Sequence, residues 1–222
     1  MLFWTVSGLV MVAKPIEEVR GTQLIRDMGP IGGPVGTKLP ALEGWDFKSL
    51  RLEARASGPR WIMILSDGSA VRFDPKTGQQ LPHLSAVEAA REVDVRYTGK
   101  AKIASVTRLG VGEAPIEYRG PSPTWQVRMS DQTNFYVDAG TGDVVAKRTS
   151  WWRFYDLMWG LHIMDLQGRE DTHNPWIVSF AALSLGMVLL ALTLLPMTIR
   201  RKNGNGNGNG NGNGKRKAVS SS

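Results

Sequence analysis

Between Trp176 and Met197 the chain runs for 22 consecutive residues without a charge. As an α-helix that stretch is about 33 Å long at about 1.5 Å per residue, enough to cross a hydrocarbon core of roughly 30 Å. Trp176 stands at one end, where an aromatic belt places such a ring. Arg200, Arg201 and Lys202 follow at the other end. The run therefore predicts a transmembrane helix over 175–199 in contact with the lipid bilayer, with Pro196 in its last turn. By the positive-inside rule the basic end stays in the cytoplasm, so the residues before the helix lie outside it.

Charge supports that arrangement and argues against a nucleic-acid partner. The net charge of +7 is concentrated in the tail: Arg200, Arg201, Lys202, Lys215, Arg216 and Lys217 supply +6 with no acid, which leaves +1 for the first 199 residues. A nucleic-acid-binding domain carries its basic stripe on the folded part. The tail also holds six Asn-Gly pairs from Asn203 to Gly214, the composition of a flexible, topology-fixing segment over 200–222. There is no cysteine, which excludes disulfides, thiolate metal sites and covalently attached c-type haem. Three histidines remain as nitrogen ligands: His83, His162 and His173.

At the other end, Leu2 to Ala13 is apolar but only about 18 Å long as a helix, too short to cross. It reads as part of a membrane helix over 1–13, and the expectation is that further apolar residues precede it. Gly29 to Pro40, rich in glycine and proline, ends a linker over 14–40.

The region 41–150 contains a weak internal repeat. Trp61 to Asp67 (WIMILSD) aligns without gaps on Trp125 to Asp131 (WQVRMSD), an offset of 64. Val71 to Asp74 then falls on Phe135 to Asp138, and Thr77-Gly78 on Thr141-Gly142. Each copy alternates apolar and polar residues and is punctuated by an Asp-x-x-Thr-Gly turn, predicting a meander of two to three strands. Asp74 and Asp138 are thereby turn formers rather than catalytic acids. Ser85 and Glu88 make a capping box opening a helix over 86–92, and Lys102 to Leu109 reads as a strand. The fold class is α+β: a small antiparallel sheet with a short helix, in a two-copy repeat, with membrane helices at both ends.

The order helix, strand, strand-turn-strand, closing on W-x-V-x-M-S-D-x-x-x-F-Y-V-D-A-G-T-G-D-V-V from Trp125 to Val145, resembles a PepSY domain. The fit covers Ser85 to Val145, with Phe47 to Leu81 as a degenerate copy. The flanks resemble the membrane-anchored branch of that family: W-T-x-S-G-L-V-M from Trp4 to Met11, P-I-E-E-V-R-G from Pro15 to Gly21, and L-H-I-M-D-x-x-x-R-E-D from Leu161 to Asp171. Such relatives carry a longer first helix with a histidine, which this sequence lacks. The resemblance implies a bacterial inner-membrane protein with an extracytoplasmic domain. It also implies one of two roles. The first is an accessory or haem-dependent electron-transfer component of a redox or metal-uptake system, similar to ferric-siderophore reductases and working with a membrane redox partner. The second is a non-enzymatic module that restrains a protease or assists envelope proteins.

The segment 151–174 bears on that choice. On a helix, Trp151, Tyr155, Met158 and Trp159 fall within about 60° of His162. An imidazole in aromatic and thioether surroundings suits the axial ligand of haem b, which the resemblance to haem-bearing relatives favours. The same residues also read as an interfacial belt with a packing histidine. His83 reads as a loop residue, and His173 as part of the helix N-cap surroundings at Asn174 and Pro175. Ser/His/Asp triads, HExxH and phosphate loops are absent, so a stand-alone catalytic constellation is not expected.

Overall fold

The computed structural model describes residues 2–29, 31, 36–120 and 123–204. The centre of the glycine-proline linker and most of the Asn-Gly tail lie outside the described residues. The chain is α+β, with two four-stranded antiparallel sheets and, among the described residues, five α-helices. It divides into one compact unit, Leu2 to Glu170, and a second that begins at Asp171.

The first sheet follows the chain order β1 (Phe47–Glu53), β2 (Arg60–Leu65), β3 (Ala70–Phe73) and β4 (Gln80–Leu81). The second does the same with β5 (Ile103–Leu109), β6 (Thr124–Met129), β7 (Asn134–Asp138) and β8 (Val144–Arg148). In the second sheet β5 is the strand expected over 102–109, whereas the first sheet gains β1 beyond the expected meander. The added β1 carries Lys48, Ser49 and Arg51 between its apolar residues, so alternation alone does not reveal it.

The two sheets match bond for bond where the sequence aligns. Trp61 stands opposite Phe73, and Trp125 opposite Val137. Met129 N–H donates to Thr133 O at 2.8 Å, as Leu65 N–H does to Ser69 O. Asp67 accepts from the Ser69 N–H and Asp131 from the Thr133 N–H. Asp74 and Asp138 each accept two backbone N–H bonds inside their turns, the role expected of a turn former. Gly78 and Gly142, at φ of +73° and +81°, occupy the same left-handed position in those turns.

Between the sheets, α3 runs from Ala86 to Arg96, one turn beyond the expected helix. Its capping box is complete: Ser85 Oγ accepts from Glu88 N–H, and Glu88 Oε2 accepts from Ser85 N–H at 3.0 Å. The apolar face of α3, with Ala89 and Val93, packs on Val127, Met129, Phe135 and Val137 of the second sheet. Because side chains alternate along β7, Tyr136 points to the opposite face, where Tyr118 of the 110–120 loop stacks on it at 4.5 Å. The second sheet is thus covered on both faces.

Two helices complete this unit around α4 (Ser150–His162): α1 (Leu2–Val12) and the short α2 (Ile16–Val19). Thr149 caps α4 by accepting the Trp152 N–H at 3.0 Å.

The second unit holds α5, from Pro175 to Gly204. Asn174 caps it by accepting the Ile177 N–H. Its first 21 residues, Pro175–Leu195, have a mean hydropathy of 2.4, and none of that apolar stretch is buried within the chain. By length and composition this helix could cross a membrane. The helix does not stop at Pro196. Proline removes one intrahelical N–H, and α5 continues through it to Gly204.

Candidate functional site

His162 lies in the last turn of α4, and α1 brings its neighbours. Ser7 and Gly8 are the small residues of α1 that let the two helices approach: Ser7 is buried, and a Cβ built on Gly8 would lie 3.5 Å from Cε1 of His162. Trp4, one turn earlier, stacks on the imidazole with centroids 4.7 Å apart and planes 9° from parallel. Its Nε1–H also donates to the His162 carbonyl at 3.2 Å, satisfying one of the orphan carbonyls at the end of α4. The ring stacked on His162 therefore comes from a helix more than 150 residues away.

With the Ser7 hydroxyl given to the Trp4 carbonyl, one tautomer of His162 is favoured. A serine hydroxyl has one proton to give. Ser7 Oγ–H donates to the Trp4 carbonyl at 2.9 Å, so in its 3.0 Å contact with His162 Nδ1 it accepts. Nδ1 carries the hydrogen, and in the neutral ring the lone pair resides on Nε2. Among the described residues Nε2 has no hydrogen-bond partner. An imidazole whose Nδ1–H is anchored and whose Nε2 is free is the arrangement found in histidines that ligate metals.

Nε2 of His162 is a single candidate nitrogen ligand for iron. The residues around it do not enclose a macrocycle. Two cavities flank α4, one of about 230 Å³ beside Val19, Trp152 and Trp159 and one of about 340 Å³ beside Ile116, Arg153 and Leu157; His162 lines neither. Trp159 is committed elsewhere, its Nε1–H donating to the Arg169 carbonyl at 3.0 Å. His83 sits in the loop before α3, lining a cleft between the two sheets, and His173 belongs to the turn before α5, where its N–H donates to Asp171.

The buried stripe of α4 is a different face from the one containing His162: Trp152, Asp156 and Gly160. Asp156 is only 4 % exposed and is neutralised by Arg169 at 2.5 Å and Arg119 at 3.2 Å. Arg169 belongs to the L-H-I-M-D-x-x-x-R-E-D stretch, which the structure resolves into a loop folded back over α4. Asp165 builds it by accepting the Gly168 and Glu170 N–H groups at 3.0 and 3.1 Å. Gly160 permits its close approach, since a Cβ there would stand 2.9 Å from the Asp165 carbonyl oxygen. Asp156 itself has a signal in the sequence: a single carboxylate on the apolar stripe of a helix, followed by a loop containing arginine.

A second network joins this helix to the sheet. Glu117 Oε1 accepts from Asn134 Nδ2 and from the Tyr136 hydroxyl, both at 2.6 Å, while Oε2 accepts from Arg153 Nε at 2.6 Å. Burial works to raise the Glu117 pKa, but the bonds from Arg153, Tyr136 and Asn134 outweigh it and hold the carboxyl below its ordinary value. Burial and the adjoining carboxylate push the Tyr136 hydroxyl up. The three donors converge on the Glu117 carboxylate, while Asn134 Oδ1 is buried without a hydrogen-bond partner among the described residues. Compared with protein-family models, curated proteins and solved structures, the chain matches none.

Proposed function

We propose that this chain is a PepSY-type protein of a bacterial inner membrane, with its two-copy domain outside the cytoplasm and its C-terminal tail inside. In this reading it serves as an accessory or haem-dependent electron-transfer component of a membrane redox or metal-uptake system. The uncovered apolar length of α5 supports the membrane placement, and the matched registers of the two sheets support the repeat. The observation that carries the redox role is the anchored Nδ1 of His162, which leaves Nε2 free for iron. Haem b held there would supply a one-electron couple. Ser7 would orient the imidazole, and Trp4 would cover one face of it.

Haem b held at His162 would give the full chain, expressed in membranes with ample haem and purified in detergent, a Soret band. His162→Ala should abolish or strongly shift it. Ser7→Ala should shift the band and weaken retention, because Nδ1 loses its anchor, while His83→Ala should leave the spectrum unchanged. A colourless wild-type protein would remove the redox role and leave the binding-module reading in first place. That second reading is favoured by the cleft between the sheets.

Orientation has its own test. A reporter fused after Ser222 should be active only in the cytoplasm, on account of the six basic residues in the tail. Activity on the far side would overturn the arrangement.

A further inference from the structure

Glu88, Glu92 and Arg96 recur at every fourth position of α3 and form one stripe of the helix, beside the apolar face at Ala89 and Val93. The two acids of the stripe meet the first copy. Glu88 faces Arg72 of β3 at 3.3 Å, and Glu92 Oε1 accepts the Ala56 N–H at 2.8 Å, in the loop 54–59 between β1 and β2. Arg55 of the same loop holds the turn that closes the second copy. Its Nε donates to the Thr141 carbonyl at 2.9 Å and its Nη2 faces Asp143 at 3.0 Å. The loop 54–59 is therefore a tie between the two copies, fastened on the turn by Arg55 and on α3 by Glu92.

The two carboxyls of the stripe are served differently. Glu88 Oε2 accepts from the Ser85 N–H and hydroxyl, and its Oε1 faces Arg72. Glu92 is almost fully buried, yet its Oε2 has no hydrogen-bond partner among the described residues. The nearby guanidiniums are committed elsewhere. Arg55 gives its Nε and Nη1 to the Thr141 and Ala54 carbonyls and shares its Nη2 between Glu53 and Asp143, while Arg96 Nε donates to the Arg26 carbonyl at 2.9 Å. Burial works to raise both carboxyls. At Glu88 the bonds from Ser85 and Arg72 outweigh it; at Glu92 the Ala56 N–H, Arg55 and Arg96 offset it only in part. A buried neutral carboxyl is content with one acceptor bond, but a buried carboxylate needs donors on both oxygens.

We infer that Glu92 is a pH-sensitive latch between the two copies: protonated, it holds the loop 54–59 closed on α3, and ionised, it draws water to Oε2 and the loop opens. The groups that face it set the balance. Arg55 of the loop and Arg96 of its own helix favour the ion, Asp143 of the turn opposes it, and Arg72 of β3 is taken by Glu88. The second-sheet residues packed under α3, Val127, Met129, Phe135 and Val137, carry no charge. The latch is closed below the unfolded-state pKa of about 4.3 and opens as pH rises through the higher folded value. It works whatever His162 holds. That it meets the pH outside the cytoplasm rests on the placement proposed above, which the reporter after Ser222 tests separately.

Hydrogen exchange of the full chain in detergent from pH 4 to pH 8, expressed as protection relative to the intrinsic rate at each pH, checks the latch. The Ala56 N–H and the Gly58 N–H, which donates to the Arg55 carbonyl at 2.9 Å, are the amides to follow. Their protection should fall across that range by at least about tenfold more than that of the β7 amides. In Glu92→Gln, which keeps an acceptor for Ala56 and cannot ionise, the excess fall should vanish. The wild-type comparison of Ala56 with β7 is the readout that does not depend on a variant folding. Level protection of Ala56 in wild type, a fall matched by the β7 amides, or an excess fall that persists in Glu92→Gln would overturn the proposal and leave Glu92 as a fixed link between α3 and the loop.

Discussion

Glu117→Ala is expected to destabilise the first unit by about 1–3 kcal/mol, the range for leaving hydrogen-bonded donors at buried and half-buried positions without their acceptor. The expectation rests on how many groups the residue serves at once. Its carboxylate receives Asn134, Tyr136 and Arg153, and its backbone carbonyl accepts Arg148 Nε at 2.6 Å. Alanine keeps the carbonyl and leaves the other three donors, all in buried or half-buried positions, to find new partners. Hydrogen exchange should show lost protection in α4 and in β7 together, since Arg153 lies on the one and Asn134 and Tyr136 on the other. Glu117→Gln keeps an acceptor for the neutral donors and loses the charge facing Arg153, so its effect should be smaller. The pH arm has a definite sign. A carboxyl held below its ordinary value contributes stability that is present above the unfolded-state pKa and is lost as pH falls through the folded value. The difference between wild type and Glu117→Ala should therefore shrink in acid. A loss below about 1 kcal/mol, or protection lost in only one of the two elements, would show that Glu117 does not join them.

Local chemistry makes several elements legible in the sequence. The capping box at Ser85 and Glu88 and the turns at Asp74 and Asp138 are closed within three or four residues, so their partners are written beside them. α5 is legible because its length and its uncharged, apolar composition are written in one continuous stretch of sequence. What was hidden depends on distant partners. β1 gains its place from pairing with β2, and its mixed polarity does not announce it. The surroundings of His162 come from Trp4 and Ser7, 158 and 155 residues away, so a helical wheel drawn on 151–162 supplies the wrong aromatic ring. The wheel did place Tyr155 and Trp159 near one another, and both border the groove beside α2. The role of the Leu161 to Asp171 stretch was hidden for a third reason. Its charged residues serve the loop and Asp156, and a motif read as a row of letters does not say which letters face inward.

Glu92→Gln is expected to raise stability at neutral pH and to flatten its pH dependence. Glu92 sits on α3, 1 % exposed, with Oε1 accepting the Ala56 N–H at 2.8 Å and Oε2 without a hydrogen-bond partner among the described residues. Burial raises its pKa, and the Ala56 N–H, Arg55 and Arg96 offset that only in part. The folded protein therefore holds the proton more tightly than the unfolded chain does. The favourable contribution is fully present below the unfolded-state pKa of about 4.3 and is lost as pH rises through the folded value. Glutamine keeps a carbonyl oxygen for the Ala56 N–H and carries no charge, so the stability that wild type loses on ionisation should be retained above that window. Glu92→Ala separates charge from hydrogen bonding: it removes the ionisation as well, but strands the Ala56 N–H and leaves a cavity, and should cost about 1–3 kcal/mol. Urea unfolding of the three proteins from pH 4 to pH 8 checks both arms. Should Glu92→Gln be less stable than wild type at pH 7, with the pH slope unchanged, the buried carboxylate is stabilised by Arg55 and Arg96 as an ion, and its orphaned oxygen is satisfied by solvent.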